Sequence, residues 1–139
     1  MRTLLAHPGT QHARRLAWEL EKRHLLDSFW TGFALAEDGA LGRSVSRWRT
    51  SWPFKQLQNR VVPGVPSARL RCVLGNEFFA LARLRLGADS VATLHARNAS
   101  FQRAIPAAAL ERSQAVIGFD TSSWILAERA AQHHRPFFL

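Results

Sequence analysis

Apolar residues along the chain occur in two alternating patterns, short continuous runs and runs with helical spacing. Residues 3–6 form an apolar run followed by Pro8 and Gly9, which predicts a buried parallel strand and then a turn. Residues 10–24 predict an amphipathic helix, because apolar side chains recur at i, i+3, i+4 and i+7 (Ala13, Leu16, Ala17 and Leu20). The apolar and aromatic run at 25–33 predicts a second strand, so the chain begins with a β-α-β unit.

The middle of the chain has weaker patterns. Residues 34–71 lack sustained periodicity and are rich in glycine and proline, which predicts a long connection with one short strand at 59–62. Residues 76–86 predict a helix with Asn76 as its N-cap and Gly87 just beyond its C-terminus. A further helix is predicted from Asp89 or Ser90 to the residue before Pro106, and a seven-residue recurrence predicts its inward face (Val91, Leu94, Asn98, Phe101 and Ile105).

The last third returns to a regular alternation of helices and strands. A short alanine-rich helix is predicted at 107–112, a central strand at 115–119, a helix at 124–133 and the beginning of another strand at 136–139. Alternating strands and helices favour a mostly parallel sheet with helices on both faces. The predicted fold is therefore α/β, a Rossmann-like three-layer sandwich formed by residues 1–139 as one domain.

The composition is that of globular proteins, since 47% of the 139 residues are hydrophobic and 21% are charged. The single cysteine, Cys72, excludes an intramolecular disulfide, fits a reducing compartment and is expected to be a small buried side chain. No window approaches the roughly 20 apolar residues of a membrane span. The net charge of +9 is carried by seventeen arginines and two lysines along the whole chain, which favours anionic ligands and surfaces.

Two loops follow strands that are predicted to lie in the centre of the sheet. Ligands of such sheets bind beyond the carboxyl ends of the strands. After the first strand, Gly9 allows a ligand to approach the main chain, and the N–H groups at the following helix N-terminus attract phosphates or sugar hydroxyls. After the strand at 115–119, a carboxylate and three hydroxyls are suited to a polyhydroxylated ligand. The predicted binding residues are His7, Gly9, Thr10, His12, Asp120, Thr121 and Ser122.

A purely structural role for the same residues remains open, because Pro8-Gly9 makes a turn and Thr10 and residues 120–123 can cap helices. Several catalytic patterns are absent from the sequence: the dinucleotide fingerprint G-x-G-x-x-G, the P-loop G-K-[ST] and the nucleophile elbow G-x-S-x-G. The histidines lack the i, i+4 spacing of helical zinc sites. Neither a metal nor a cofactor is predicted.

An aromatic and basic cluster in the long connection has two interpretations. It resembles a stacking surface for nucleic acid or a membrane contact, but a loop that buries its aromatic side chains under the domain is the favoured explanation. Its members are Arg47, Trp48, Arg49, Trp52, Phe54 and Lys55.

Four segments together resemble the N-terminal region of bacterial glycosyltransferases of the family 4 type. They occur in the same order along the whole chain: LLAHPGTQH at 4–12, WTGFAL at 30–35, NRVVPGVP at 59–66 and VIGFDTSSW at 116–124. The resemblance implies a GT-B architecture, in which two Rossmann-like domains face each other across a cleft. It also implies that the N-terminal domain holds the acceptor and that transfer from a nucleotide diphosphate sugar needs no metal.

The resemblance implies further partners. The family's E-x7-E pattern belongs to the C-terminal, donor-binding domain and has no counterpart among the glutamates of this chain. We therefore expect a C-terminal partner domain, a saccharide or lipid-linked acceptor, a cytoplasmic location with peripheral contact to an anionic inner membrane, and no nucleic acid. The alternative hypothesis is a small basic Rossmann-like module that binds RNA or an anionic membrane surface. No catalytic residue is assigned.

Overall fold

A computed structural model describes residues 1–9, 11–47 and 57–139 of the chain. The strands with defined bounds are β1 (Thr3–His7), β2 (Leu26–Thr31), β3 (Leu35–Ala36), β4 (Val61–Val62), β5 (Leu70–Cys72), β6 (Ala115–Ile117) and β7 (Phe137–Phe138). The helices are α1 (Gln11–Lys22), α2 (Ala40–Arg47), α3 (Leu74–Arg85), α4 (Ser90–Ala104), α5 (Ala107–Arg112) and α6 (Trp124–Gln132).

Five strands form one parallel sheet in the order β5-β2-β1-β6-β7. The central strand β1 pairs with β2 on one side, where Leu5 is opposite Phe29, and with β6 on the other, where Leu5 is opposite Ile117. Neighbouring strands are separated in sequence by helices, as crossover connections of parallel strands require. The predicted α/β fold with a mostly parallel sheet is confirmed.

Both faces of the sheet are buried, because successive side chains of β1 enter different clusters. Leu5 packs with Ala13 and Ala17 of α1 on one face. Leu4 and Ala6 pack on the other face, where α4, α5 and α6 supply most of the apolar partners (Phe101, Ile105, Ala109, Leu110, Leu126 and Ala130). Helices on both faces of one sheet make the Rossmann-like three-layer arrangement.

Residues 34–71 contain more regular structure than the predicted long connection. The strand predicted at 59–62 is present as β4, but β4 pairs with β3 in a separate two-stranded parallel sheet that was not predicted. Helix α2 and the start of β5 also lie in this segment. The prediction failed because strands of two or three residues are too short to show a period of two, and because Gly42 interrupts the sequence pattern of α2. The aromatic and basic cluster beyond Arg47, at 48–55, lies outside the described residues.

Helix α3 begins earlier than predicted. Asn76 lies inside the helix, and Val73 occupies the N-cap position without a side-chain cap, so the assignment of Asn76 as N-cap was wrong. The predicted C-terminal glycine is confirmed, because Gly87 follows the C-cap Leu86 and has a φ of +80° that only glycine adopts without strain.

Helix α4 confirms Asp89 as the N-cap, since its carboxylate accepts from the Ala92 N–H at 2.6 Å. The predicted inward face is correct at Phe101 and Ile105, which are buried, and wrong at Val91 and Leu94, which are 74% and 42% exposed. The reason is tertiary, because the buried residue in the first turns of α4 is Thr93, which lines a cleft shared with α3, so the packed face differs from the one that the recurrence predicts. None of the described helices is long and apolar enough to cross a membrane.

Cys72 is exposed, which corrects the prediction of a buried side chain. Its position at the end of β5 places it on the outermost strand of the sheet that the described residues form. The thiol donates to the Ala34 carbonyl at 3.2 Å, and partial burial raises its pKa. Because the thiolate is the reactive form, a thiol with a raised pKa is less reactive at neutral pH than a thiol with the ordinary pKa of cysteine.

Candidate ligand-binding edge

The two loops predicted to bind a ligand meet at the carboxyl edge of the sheet. They follow β1 and β6, which are neighbouring strands. The residues that lead into the two loops are in direct contact, because the rings of His7 and Phe119 pack edge to face with centroids 4.7 Å apart. The two loops therefore lie side by side at this edge.

His7 is half-buried and its ring lies over Gly9. A Cβ atom at Gly9 would be 2.8 Å from His7 Cε1, so a larger residue there would require the His7 ring to shift. Burial lowers the pKa of His7; the Gly9 main chain opposes this shift, and the positive charges of Arg97 and His12 add to it. Nδ1 is buried and has no hydrogen-bond partner among the described residues. A half-buried, neutral imidazole can both donate and accept, so it is suited to hydrogen bonding with a ligand hydroxyl.

The remaining residues of the first loop have unequal roles. The Gly9 carbonyl accepts from Thr31 Oγ1 at 3.1 Å, which fastens the loop to β2. His12 is exposed in the first turn of α1, close enough to His7 to affect its pKa. Thr10 lies outside the described residues, so its predicted roles in capping and binding stay predictions.

The second loop divides into an exposed and a buried half. Asp120 and Thr121 are exposed, and the Asp120 carboxylate accepts from the Thr121 N–H at 2.8 Å. Ser122 is buried, and its hydroxyl donates to the Phe119 carbonyl at 3.3 Å. The buried Ser123 hydroxyl accepts from the Phe119 N–H and donates to the Phe119 carbonyl, both at 2.7 Å. The exposed Asp120 and Thr121 are therefore the members of the loop that a ligand can reach.

Side-chain capping does not explain this loop. Ser123 occupies the N-cap position of α6, but it makes no side-chain bond to the helix N–H groups. Instead its hydroxyl closes the turn back onto Phe119. Thr121 has a φ of +63°, a conformation that non-glycine residues adopt infrequently and that clusters at ligand sites.

Two residues of α4 join the site and were not predicted as ligand-binding residues. Asn98 donates through Nδ2 to the Thr121 carbonyl at 3.3 Å, which ties α4 to the second loop. Arg97 donates to Asn98 Oδ1 at 3.0 and 3.2 Å, and its charge is one of those that lower the pKa of His7. The sequence contained one indication, because Asn98 was the polar member of an otherwise apolar recurrence. Arg97 had no distinguishing feature among seventeen arginines.

The loop after β2 completes this edge. The Phe33 N–H donates to Glu77 Oε2 of α3 at 2.9 Å, and Arg60 lies 3.5 Å from the other carboxylate oxygen. A Cβ atom at Gly32 would be 2.7 Å from the Pro8 carbonyl oxygen, so the main chain of the loop after β2 lies against that of the first loop. Glu77 of α3 thus holds the loop after β2, and Asn98 of α4 holds the second loop.

The chemistry at this edge suits binding better than covalent catalysis. It offers a neutral imidazole, an exposed carboxylate, loop main-chain groups and a guanidinium. Hydroxyls and anionic groups are the ligand functions that these side chains bind. Residues 1–9, 11–47 and 57–139 contain no group of three or more His, Cys, Asp or Glu side chains placed to hold a metal ion. No protein-family model matches the chain, and neither a curated protein nor a solved structure is significantly similar to it.

Proposed function

We propose that this chain is the acceptor-binding domain of a nucleotide-sugar-dependent glycosyltransferase of GT-B architecture. The observation that carries the proposal is the meeting of the two loops at the carboxyl edge, where His7 contacts Phe119 at 4.7 Å between ring centroids. These loops belong to the segments that resemble family 4 glycosyltransferases. Proteins with a Rossmann-like fold have many different functions, so the proposal depends on the residues of the carboxyl edge and not on the fold.

The chemistry of the edge supports a saccharide acceptor. An acceptor sugar presents hydroxyls in fixed directions, and specificity for such a ligand comes from a few placed donors and acceptors. The Asp120 carboxylate accepts hydrogen bonds from hydroxyls, and the neutral His7 ring can both donate and accept. Arg97 adds a positive charge for an acceptor that carries a phosphate. Transfer itself requires a donor-binding domain opposite this edge.

The proposal is tested by titrating the isotope-labelled chain with mono- and disaccharides and with polyprenyl-diphosphate-linked sugars in detergent. We expect amide chemical-shift changes centred on Gly9, Asp120 and Thr121. Asp120→Asn should weaken binding by about tenfold or more, because a hydrogen bond to a charged group contributes about 1.5–3 kcal/mol. Glu128→Gln is the matched control, since it removes an exposed carboxylate from α6 and should leave the affinity unchanged.

The same titration distinguishes acceptor binding from the alternative function, the binding of RNA. A basic module for RNA would respond to a single-stranded RNA oligonucleotide and not to any saccharide. Saccharide-induced shifts that avoid both loops, or equal effects of Asp120→Asn and Glu128→Gln, would contradict the proposed acceptor site.

A further inference from the structure

A cleft of about 300 Å³ lies between α3 and α4. Helix α4 lines it with residues at the i, i+3, i+4, i+7 spacing of one helix face, namely Thr93, Ala96, Arg97 and Ser100. Three of these four side chains are small, so they leave the space between the two helices open. None of the residues that line the cleft belongs to the two loops at the carboxyl edge.

Helix α3 lines the cleft with the same spacing, through Asn76, Phe79, Ala80 and Arg83. The Ser100 hydroxyl donates to Asn76 Oδ1 at 2.9 Å, which ties the two helices together beside the cleft. Ala80 and Thr93 are buried and lie at its base, whereas Phe79 is 76% exposed. The ring of Phe79 therefore offers apolar surface to a ligand in the cleft.

The charges that line the cleft are positive. Arg83 and Arg97 both line it, and the described residues around it include no carboxylate. Arg83 is exposed and has no ion pair or hydrogen bond with any described residue. Arg97 donates to Asn98 through Nε and Nη2, and its Nη1 makes no hydrogen bond within the described ranges.

The carboxylates nearest in sequence are engaged elsewhere. Glu77 accepts from the Phe33 N–H, and Asp89 accepts from the Ala92 N–H at the N-cap of α4. Two arginines at one cleft without a carboxylate make a positive potential that attracts an anion.

We propose that this cleft is a second ligand site, separate from the carboxyl edge, that binds a small organic phosphate monoester. Arg83 and Arg97 bind the phosphate oxygens, and Phe79 and Ala96 contact the apolar part of the ligand. The volume of the cleft lies at the lower end of the range of small-molecule pockets. This binding does not depend on sugar transfer.

A phosphate monoester fits the cleft better than other anions do. It carries about two negative charges at neutral pH, which match two arginines. The planar guanidinium fork also pairs well with phosphate oxygens. A carboxylate carries a single charge and leaves one arginine uncompensated. A nucleic acid strand needs a groove that follows several nucleotides, whereas this cleft has the size of a small molecule.

The test is a titration of the isotope-labelled full chain with phenyl phosphate, followed through amide chemical shifts. Inorganic phosphate lacks the ring, phenol lacks the charge, and benzoate has a carboxylate in place of the phosphate. We expect phenyl phosphate to bind most tightly of the four. The shift changes should centre on Ala80, Thr93 and Ala96, and not on Gly9 and Asp120 at the carboxyl edge.

Two variants should weaken the binding of phenyl phosphate. Arg83→Gln should reduce the affinity about tenfold or more, because it removes a charged hydrogen-bond donor. Its matched control is Arg85→Gln, which removes the same charge from an exposed position of α3 outside the cleft. Ala96→Leu should abolish detectable binding, because the larger side chain fills the cleft. Its matched control is Ala92→Leu, at an exposed position of α4 that does not line the cleft.

Both controls should bind phenyl phosphate like the wild type. Thermal melting of each variant verifies folding, and all four substituted residues are exposed. The proposal would be overturned by an absence of phenyl phosphate binding, by an equal loss in Arg83→Gln and Arg85→Gln, or by shift changes centred on Gly9 and Asp120. Equal affinities for inorganic phosphate and phenyl phosphate would also contradict it, because the apolar part of the ligand would then contribute nothing.

Discussion

At the scale of single residues, the candidate site is distinguished by which hydrogen-bonding groups are already used. The hydroxyls of Ser122 and Ser123 are both engaged by Phe119 and shape the loop. His7 is half-buried, and its neutral ring can both donate and accept a hydrogen bond, so it retains capacity for a ligand. The two loops therefore contain both scaffold and binding groups, and the sequence alone could not separate them because all carry polar side chains.

The buried His7 should make the stability of the protein depend on pH. Its pKa is lowered from 6.5 mainly by burial, so the unfolded chain binds the proton more tightly than the folded one. The contribution is complete above pH 6.5 and is lost as the pH falls through the lower folded-state pKa. Urea unfolding of the wild type should thus show falling stability across this window, and His7→Gln should reduce that fall.

His24→Asn is the matched control for His7→Gln. His24 is exposed and has a φ of +56°, a conformation that asparagine tolerates. This variant should keep the pH dependence of the wild type. A pH profile that His7→Gln leaves unchanged would show that His7 does not carry the effect.

At the scale of secondary-structure elements, tight packing rather than propensity governs α2. Gly42 is buried in this helix, and a Cβ atom there would overlap the Ala36 carbonyl of β3. Gly75 in the first turn of α3 has no neighbour within 4 Å of an added Cβ atom. Both glycines lower the intrinsic stability of their helices, but only Gly42 is required by a close contact with another element.

Alanine substitution at these two glycines should change stability in opposite directions. Gly42→Ala should destabilise by about 1–3 kcal/mol, because overpacking displaces the main chain of β3. Gly75→Ala should stabilise by about 0.4–1 kcal/mol, since it lowers the entropy of the unfolded chain without a clash. Urea unfolding of both variants measures the difference. Equal effects in the two helices would mean that the contact with Ala36 does not determine the role of Gly42.

At the scale of the whole molecule, the carboxyl edge is one side of the cleft that the proposed function requires. Sugar transfer needs the donor phosphates and the acceptor hydroxyl to be held together, and such positioning contributes about 7–11 kcal/mol to lowering a barrier. The chain of 139 residues is therefore expected to bind an acceptor without transferring sugar. Release of nucleoside diphosphate from a panel of sugar donors, with lipid and saccharide acceptors present, measures this.

The exposed strand at the edge of the sheet affects the association state of the chain in the same experiment. β7 is the outermost strand next to β6, and Phe138 is 51% exposed. Uncovered apolar edges favour association between chains. We therefore expect self-association, which the mass in solution reports alongside the assay. Robust turnover by a well-behaved monomer would contradict the requirement for a second domain.

The sequence by itself determined the elements whose signal is local. Helix α1 has apolar side chains at helical spacing, β1 contains the apolar run Leu4-Leu5-Ala6, and β6 is wholly apolar, so the local pattern was enough to place them. The order of these elements then restricted the topology to a parallel sheet, and this placed the loops after β1 and β6 at one edge. The candidate site was predictable to that extent.

Only the tertiary structure decided the features that depend on contacts between distant residues. Arg97 and Asn98 join the site because α4 crosses the second loop, and no local pattern encodes that crossing. Val91 and Leu94 have the spacing of core residues, yet they are exposed, because Thr93 is the residue that the first turns of α4 bury. Periodicity shows that a face is apolar, but the neighbouring elements determine whether that face packs against the core or remains available to a partner.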